Sequence, residues 1–277
     1  MSQIQQIPTI ALDDGVAIPQ LGLGVCQVLP EDTEAVVREA LEAGYRHIDT
    51  AAVYGNEQGV GRAIASAGIP REELFVTTKL WNSAHGRDAT FAAFAASAER
   101  LGLDYVDLYL VHWPVPSADR YVESFEALLD LKAQGCIRSA GVSNFHEPHL
   151  RRAIRETGAT PSVNQIELHP YLQQEEMRRV DRELGIATEA WSPIAQGAVL
   201  DDPVLGAIAR AHGKSPAQVA VRWHLQLGNI AIPKSITPQR IRENLDVFDF
   251  ELRDEDLEAI AGLDRGLRTG PDPDVYA

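Results

Sequence analysis

Apolar positions along the chain fall into two alternating kinds of segment. Eight short runs read as strands: LGLGV, RHIDTA, LFVTTKL, VDLYLVH, IRSAGVS, SVNQIEL, IATEAW and NIAIPKS. Between them lie amphipathic runs such as EDTEAVVREALEAG and YVESFEALLDLKAQG. Both end in glycine, a common helix stop. Strands alternating with helices predict an α/β fold with a parallel sheet. Eight of them within 277 residues predict closure into a (β/α)8 TIM barrel, a single domain over residues 1–277. The opening IPTIALDDGVAIPQLGLG reads as an N-terminal β-hairpin, because two apolar runs flank Asp13-Asp14-Gly15 and Asp-Gly is a strong turn signal. The rival architecture is a doubly wound open sheet. Its dinucleotide fingerprint G-x-G-x-x-G is absent, since GLGVCQ fails at the third glycine.

Composition narrows the partners. A net charge of −15 argues against a nucleic-acid binder, which is usually basic. Two cysteines, Cys26 and Cys136, lack the spacing of a metal site or a disulfide framework, so the expectation is reduced thiols in a cytoplasmic protein. MSQIQQIPTIALDDG has neither the basic start nor the apolar stretch of a secretory leader, and no run has the length of a membrane span.

Barrel active sites form at the C-terminal ends of the strands. Four ionisable residues fall there: Asp49 ends the second run, Tyr54 follows it, Lys79 ends the third and His112 the fourth. A lysine after an apolar strand is costly to bury unpaired, and Asp49 on the adjacent strand is its natural partner. A free tyrosine is a weak acid, with a pKa of about 10. A nearby Lys79 charge is expected to lower that value, with Asp49 holding the lysine in place and His112 bonding the same substrate oxygen. Such a group suits a reaction in which a carbonyl oxygen gains negative charge and then a proton. Read one at a time, such residues are more often a structural ion pair, a buried histidine and a packing aromatic; it is all four at the ends of consecutive strands that points to a site. A metal hydrolase is the competing chemistry, from His47, Asp49 and His169. No His-x-His or His-Glu-x-x-His supports it, and no metal is expected.

No side chain donates hydride, so a carbonyl reductase needs a cofactor. Asn144 and Gln165 carry amides suited to a nicotinamide carboxamide, with Ser143 beside them, and Trp191 offers a flat surface for the ring. Lys234, Arg240 and Arg242 cluster around Thr237-Pro238, a helix start suited to phosphate, and Lys234, Ser235 and Arg240 would suit a ribose 2′-phosphate, favouring NADP over NAD.

These segments together resemble the aldo-keto reductases, within them the bacterial branch that includes 2,5-diketo-D-gluconate reductases. The resemblance is carried by GYRHIDTAAVYGNEQGVG, TTKLW, DLYLVHWP, GVSNF, NQIELHP and IPKSITPQRIRENL, in family order over essentially the whole chain. It implies a barrel that binds NADPH without a Rossmann fold. It also implies a catalytic tetrad of Asp49, Tyr54, Lys79 and His112, with Tyr54 as general acid. Ser143, Asn144 and Gln165 would hold the carboxamide, with Trp191 stacked on the ring. Ser192, Ile194 and Gln196 would lie along the cofactor. Lys234, Ser235, Ile236 and Arg240 would surround the 2′-phosphate, and Glu243 and Asn244 would meet the adenine. Arg242 has no role and reads as surface. Substrate contacts would be Cys26, Trp81, His112 and Trp113. The short tail LRTGPDPDVYA suggests an open pocket. The implied protein is a monomer that reduces aldehydes, ketones or keto sugar acids with NADPH. The alternative is an NADPH-binding sensor or structural subunit with negligible turnover.

Overall fold

The computed structural model describes residues 7–276. Residues 1–6, part of the stretch read as lacking a leader, and the last residue of the tail lie outside the described residues. The predicted hairpin is present: β1 (Thr9–Ala11) pairs antiparallel with β2 (Ala17–Pro19), Ile10 opposite Ile18. The turn between them is closed by Leu12 N–H donating to Val16 O at 2.8 Å.

The eight strand-like runs give eight parallel strands. They are β3 (Leu23–Gly24), β4 (His47–Asp49), β5 (Phe75–Leu80), β6 (Val106–Val111), β7 (Ile137–Ser143), β8 (Val163–Glu167), β9 (Ala187–Trp191) and β10 (Ile230–Ala231). Each pairs with the next in chain order. Leu21 bridges to Ala231, and Gly22 N–H donates to Ala231 O at 2.9 Å, so the sheet closes. The last run, expected over 229–235, is in the ladder only at Ile230–Ala231. Pro233 has no N–H to contribute to a ladder. The seam is tight there: a Cβ on Gly24 would lie 2.9 Å from Ile232 O, so only glycine lets the first and last strands meet.

Helices α1 (Pro30–Ala43), α2 (Glu57–Ser66), α3 (Arg87–Leu101), α4 (Tyr121–Ala133), α5 (Glu147–Thr157) and α6 (Glu175–Leu184) follow the first six barrel strands. Two helices, α7 (Pro203–His212) and α8 (Pro216–Gln226), follow β9, and α9 (Pro238–Leu245) and α10 (Asp254–Ala261) follow β10. The expected (β/α)8 barrel is therefore the observed fold.

Strand alternation sorts the side chains into two cores. Outward residues such as Val76, Leu80, Tyr109, Val111 and Ala190 pack against the helices. Inward residues at the N-terminal end, Phe75, Leu108, Leu110, Val163 and Ile230, pack with Leu12 and Ile18 of the hairpin, which plugs that end. Further along the rows of β5, β6 and β8 the side chains turn polar, at Thr77 and Lys79, at His112 and at Gln165. That change of character puts the chemistry at the opposite end of the barrel, where the strands finish.

Candidate active site

Inward positions of four strands meet on the barrel axis. Lys79 Nζ donates to Asp49 Oδ1 at 2.6 Å and to Thr50 O at 3.0 Å. Both side chains are essentially without solvent contact. The pairing expected from their adjacent strands is thus made. Gln165 lies across from them and uses one amide nitrogen twice, donating to Asp49 Oδ2 and to Glu189 Oε2, each at 2.8 Å. The Gln165 amide therefore joins two buried carboxyl groups, of which only Asp49 is bonded to the Lys79 ammonium. Burial pushes the Glu189 carboxyl up to about 8, with the Asp49 charge adding to the effect. Burial also raises Asp49, against the pull of Lys79 and Gln165. The ion pair is Lys79–Asp49, and Glu189 holds the extra proton.

Glu189 was not singled out from the sequence. The available signal was its register: it sits opposite Gln165 in the β8–β9 ladder and two residues before Trp191, hence on the inward row.

Tyr54 ends a short 3-10 turn, Ala52–Tyr54, directly after β4. Its ring lies 5.2 Å from Lys79 Nζ and 5.9 Å from the His112 ring, edge to face. Contrary to the expectation from Lys79, the Tyr54 phenol is pushed well up, by burial first and then by the Asp49 charge, with Cys26 and Glu189 adding to it. Burial is the larger cause: it favours the neutral phenol, and the Asp49 charge beside Lys79 adds to it. Tyr54 therefore carries its proton at neutral pH.

His112 is held well below the ordinary histidine value by burial and by the Lys79 charge, so its ring is neutral. Its Nδ1 has no hydrogen-bond partner among the described residues. Trp81 packs edge-on against the His112 ring at 5.2 Å and Trp113 lies nearly parallel to it at 6.4 Å. Cys26 is exposed at the same mouth. The mouth thus has a polar floor and aromatic walls.

His47 and His169 do not join a cluster with Asp49. His47 Nε2 meets Thr77 Oγ1 at 3.1 Å, below the ion pair, and His169 Nε2 meets Glu167 Oε1 at 3.0 Å.

The residues expected to hold the carboxamide converge beside this floor. Ser143 Oγ donates to Gln165 O at 2.8 Å. Asn144 Nδ2 donates to His112 O and to Ser143 Oγ, both at 3.0 Å, and Asn144 Oδ1 accepts from Trp191 Nε1 at 2.8 Å. Both amide nitrogens, Asn144 Nδ2 and Gln165 Nε2, are thereby committed. What remains available is oxygen: Gln165 Oε1 makes no hydrogen bond among the described residues. Acceptors are what the NH2 of a carboxamide needs, so this corner fits that group.

Asn144, Ser192, Ala195 and Gln196 all have positive φ, between 48° and 62°. Backbone in this region is strained for non-glycine residues and concentrates at functional sites. Ser192, Ile194 and Gln196 lie on this belt, directly after Trp191, which is half-buried. Further round, α9 starts at Pro238 with Thr237 as cap, and no side chain covers its first N–H groups. Lys234, Ile236 and Arg240 are exposed there, and Ser235 is buried. Neither Lys234 nor Arg240 has an ion-pair partner among the described residues, a free positive pair in an acidic protein. Glu243 accepts from Gln239 Nε2 at 2.6 Å, and Asn244 is buried. Arg242 pairs with Glu39 of α1.

The tail, short as it is, packs against one wall of the mouth. It folds back over the mouth, where the Tyr276 ring packs 4.5 Å from that of Trp113. It is anchored on Glu167, the last residue of β8, which the sequence reading also passed over.

This fold and this mouth agree with what the chain is similar to. It belongs to the aldo/keto reductase family, whose model matches residues 20–265. It is 61% identical over 269 residues to an aldo-keto reductase of Mycolicibacterium smegmatis, covering 97% of this chain and 98% of that one. It is 55% identical over 271 residues to the methylglyoxal reductase DkgA of Yersinia pestis, covering 97% of each. Among solved structures, a Gox0644 mutant in complex with NADPH superposes with a TM-score of 0.95 at 46% identity, over 99% of this chain and 100% of that one. The family expected from the motifs is the family found, and the chain is an oxidoreductase of that family.

Proposed function

We propose that the protein reduces small aldehydes, ketones or keto sugar acids to alcohols with NADPH as cofactor. The observation that carries the reading is the buried Lys79–Asp49 pair set beneath a protonated Tyr54 and a neutral His112, at a mouth walled by tryptophan. Support for the cofactor comes from the free acceptor oxygen of Gln165 and from Lys234 and Arg240 at the start of α9, which have no ion-pair partner among the described residues. The NADPH complex of the similar Gox0644 mutant is consistent with it. A methylglyoxal reductase among the relatives favours a reactive dicarbonyl as one substrate.

The chemistry NADPH supplies when bound is hydride for the carbonyl carbon. The chain's own residues do the rest. Tyr54 Oη holds a proton at neutral pH and delivers it to the carbonyl oxygen as that oxygen gains charge. The Lys79 ammonium, kept charged and immobile by Asp49, offsets the negative charge left on the phenol. Neutral His112 hydrogen-bonds the same oxygen and orients it. Trp81 and Trp113 exclude water from the walls, and Cys26 completes the rim. Ser143, Asn144 and Gln165 would hold the carboxamide, Trp191 would offer its face to the ring, and Ser192, Ile194 and Gln196 would flank the cofactor. Lys234, Ser235, Ile236 and Arg240 would hold the 2′-phosphate, with Glu243 and Asn244 at the adenine.

The test is loss of NADPH absorbance with methylglyoxal, 2,5-diketo-D-gluconate and an aromatic aldehyde in parallel, and NADH as control. Turnover with NADPH is expected for at least one. Saturable NADPH binding with no turnover on any of them would replace this reading by a sensing role.

A further inference from the structure

Glu167 is buried at the end of β8, yet it is not part of the ion pair on the barrel floor. Its carboxylate points to the tail. Oε1 accepts from Thr269 N at 2.5 Å, from Thr269 Oγ1 at 2.7 Å and from His169 Nε2 at 3.0 Å. Oε2 accepts from Gly270 N at 3.1 Å. Two consecutive backbone N–H groups closing on one carboxylate form a small anion nest, here filled by a side chain of the same molecule. These hydrogen bonds hold the Glu167 carboxyl below its ordinary value despite burial.

The clamp has a consequence at Trp191. A Cβ on Gly270 would lie 2.5 Å from Trp191 Cη2 and 3.3 Å from Glu167 Oε2, so the tail backbone is wedged between carboxylate and indole. The far end of the indole is tied by Nε1–H to Asn144 Oδ1 at 2.8 Å. Thr269 Oγ1 also meets Gln196 Nε2 at 3.3 Å. The ring is therefore fixed at both ends, one by a hydrogen bond and one by packing that Glu167 maintains.

We propose that Glu167 is a positioning residue whose carboxylate clamps Thr269 and Gly270 against the Trp191 edge and so sets the plane on which the nicotinamide ring stacks. This rests on the cofactor reading above. Among the described residues no hydrogen bond joins Glu167, Thr269 or Gly270 to Lys234, Ser235 or Arg240, so the effect is expected at the nicotinamide half.

The experiment is calorimetric titration of the full chain, wild type, Glu167→Ala and Gly270→Ala, with NADP+ and with 2′,5′-ADP, which lacks the nicotinamide half. NADP+ affinity is expected to fall about tenfold in both variants, the scale of one lost aromatic stacking contact. Affinity for 2′,5′-ADP is expected to stay within about twofold of wild type. Gly270→Ala keeps the carboxylate and pushes on the ring directly, so it carries the test if Glu167→Ala fails to fold. Unchanged NADP+ affinity in the variants, or equal losses for both ligands, would overturn the role. A wild-type chain that binds NADP+ but reduces no carbonyl would sink the reductase reading and leave the clamp standing. A wild-type chain that does not bind NADP+ would sink both.

Discussion

Lys79 and Asp49 meet at 2.6 Å on adjacent strands, with 0% and 2% of their side chains exposed. Removing one partner of such a pair leaves the other charge buried and uncompensated. Asp49→Asn is expected to cost about 3–5 kcal/mol of stability. The double variant Asp49→Asn, Lys79→Met is expected to regain most of that loss in a denaturant titration while staying inactive. Equal turnover in the double variant and wild type would make the pair purely structural.

Tyr54 is the proton donor in this reading, and Cys26 is the one side chain that hydrogen-bonds its hydroxyl among the described residues. Tyr54→Phe is expected to lower turnover by about 10²–10⁴-fold, the range of general acid catalysis. Its melting temperature and NADP+ affinity should stay near wild type. Near wild-type turnover with a reactive aldehyde would remove the acid role.

Glu189 gives the site a pH signature in stability. Its carboxyl titrates at 4.5 when unperturbed and is pushed up to about 8 in the fold. Between those values the folded state holds a proton that the unfolded state has lost, so stability falls as pH rises through the window. The slope from this one group approaches about 1.4 kcal/mol per pH unit. Glu189→Gln removes the titration. The stability of wild type relative to the variant should therefore decline steadily from pH 4.5 to 8, read as denaturant midpoints. A flat difference would show that Glu189 is ionised throughout.

Arg240 faces solvent at the start of α9 without an ion-pair partner among the described residues. Arg240→Ala is expected to weaken NADPH about tenfold or more, the loss of a charge-assisted contact to phosphate, and to leave NADH nearly unchanged. Equal losses for both cofactors would place the 2′-phosphate elsewhere.

Much of this was legible because it is local. Strand runs and helix stops are set by neighbouring residues, and so was the hairpin around Asp13-Asp14-Gly15. The ends of apolar runs marked Asp49 and Lys79, and the Pro238 helix start was visible as a dipeptide. The tertiary structure decided what depends on barrel closure. Glu189 reads in sequence as one more glutamate in a strand. It becomes a proton-holding group only because β9 folds round to set it against Gln165 and Asp49. The Tyr54 phenol is raised rather than lowered, since an ionisation equilibrium answers to the sum of burial and every nearby charge, not to one chosen neighbour. Glu167 and Gly270 are 103 residues apart. Their contact, and the hold it exerts on Trp191, exists only once the tail has crossed the barrel mouth.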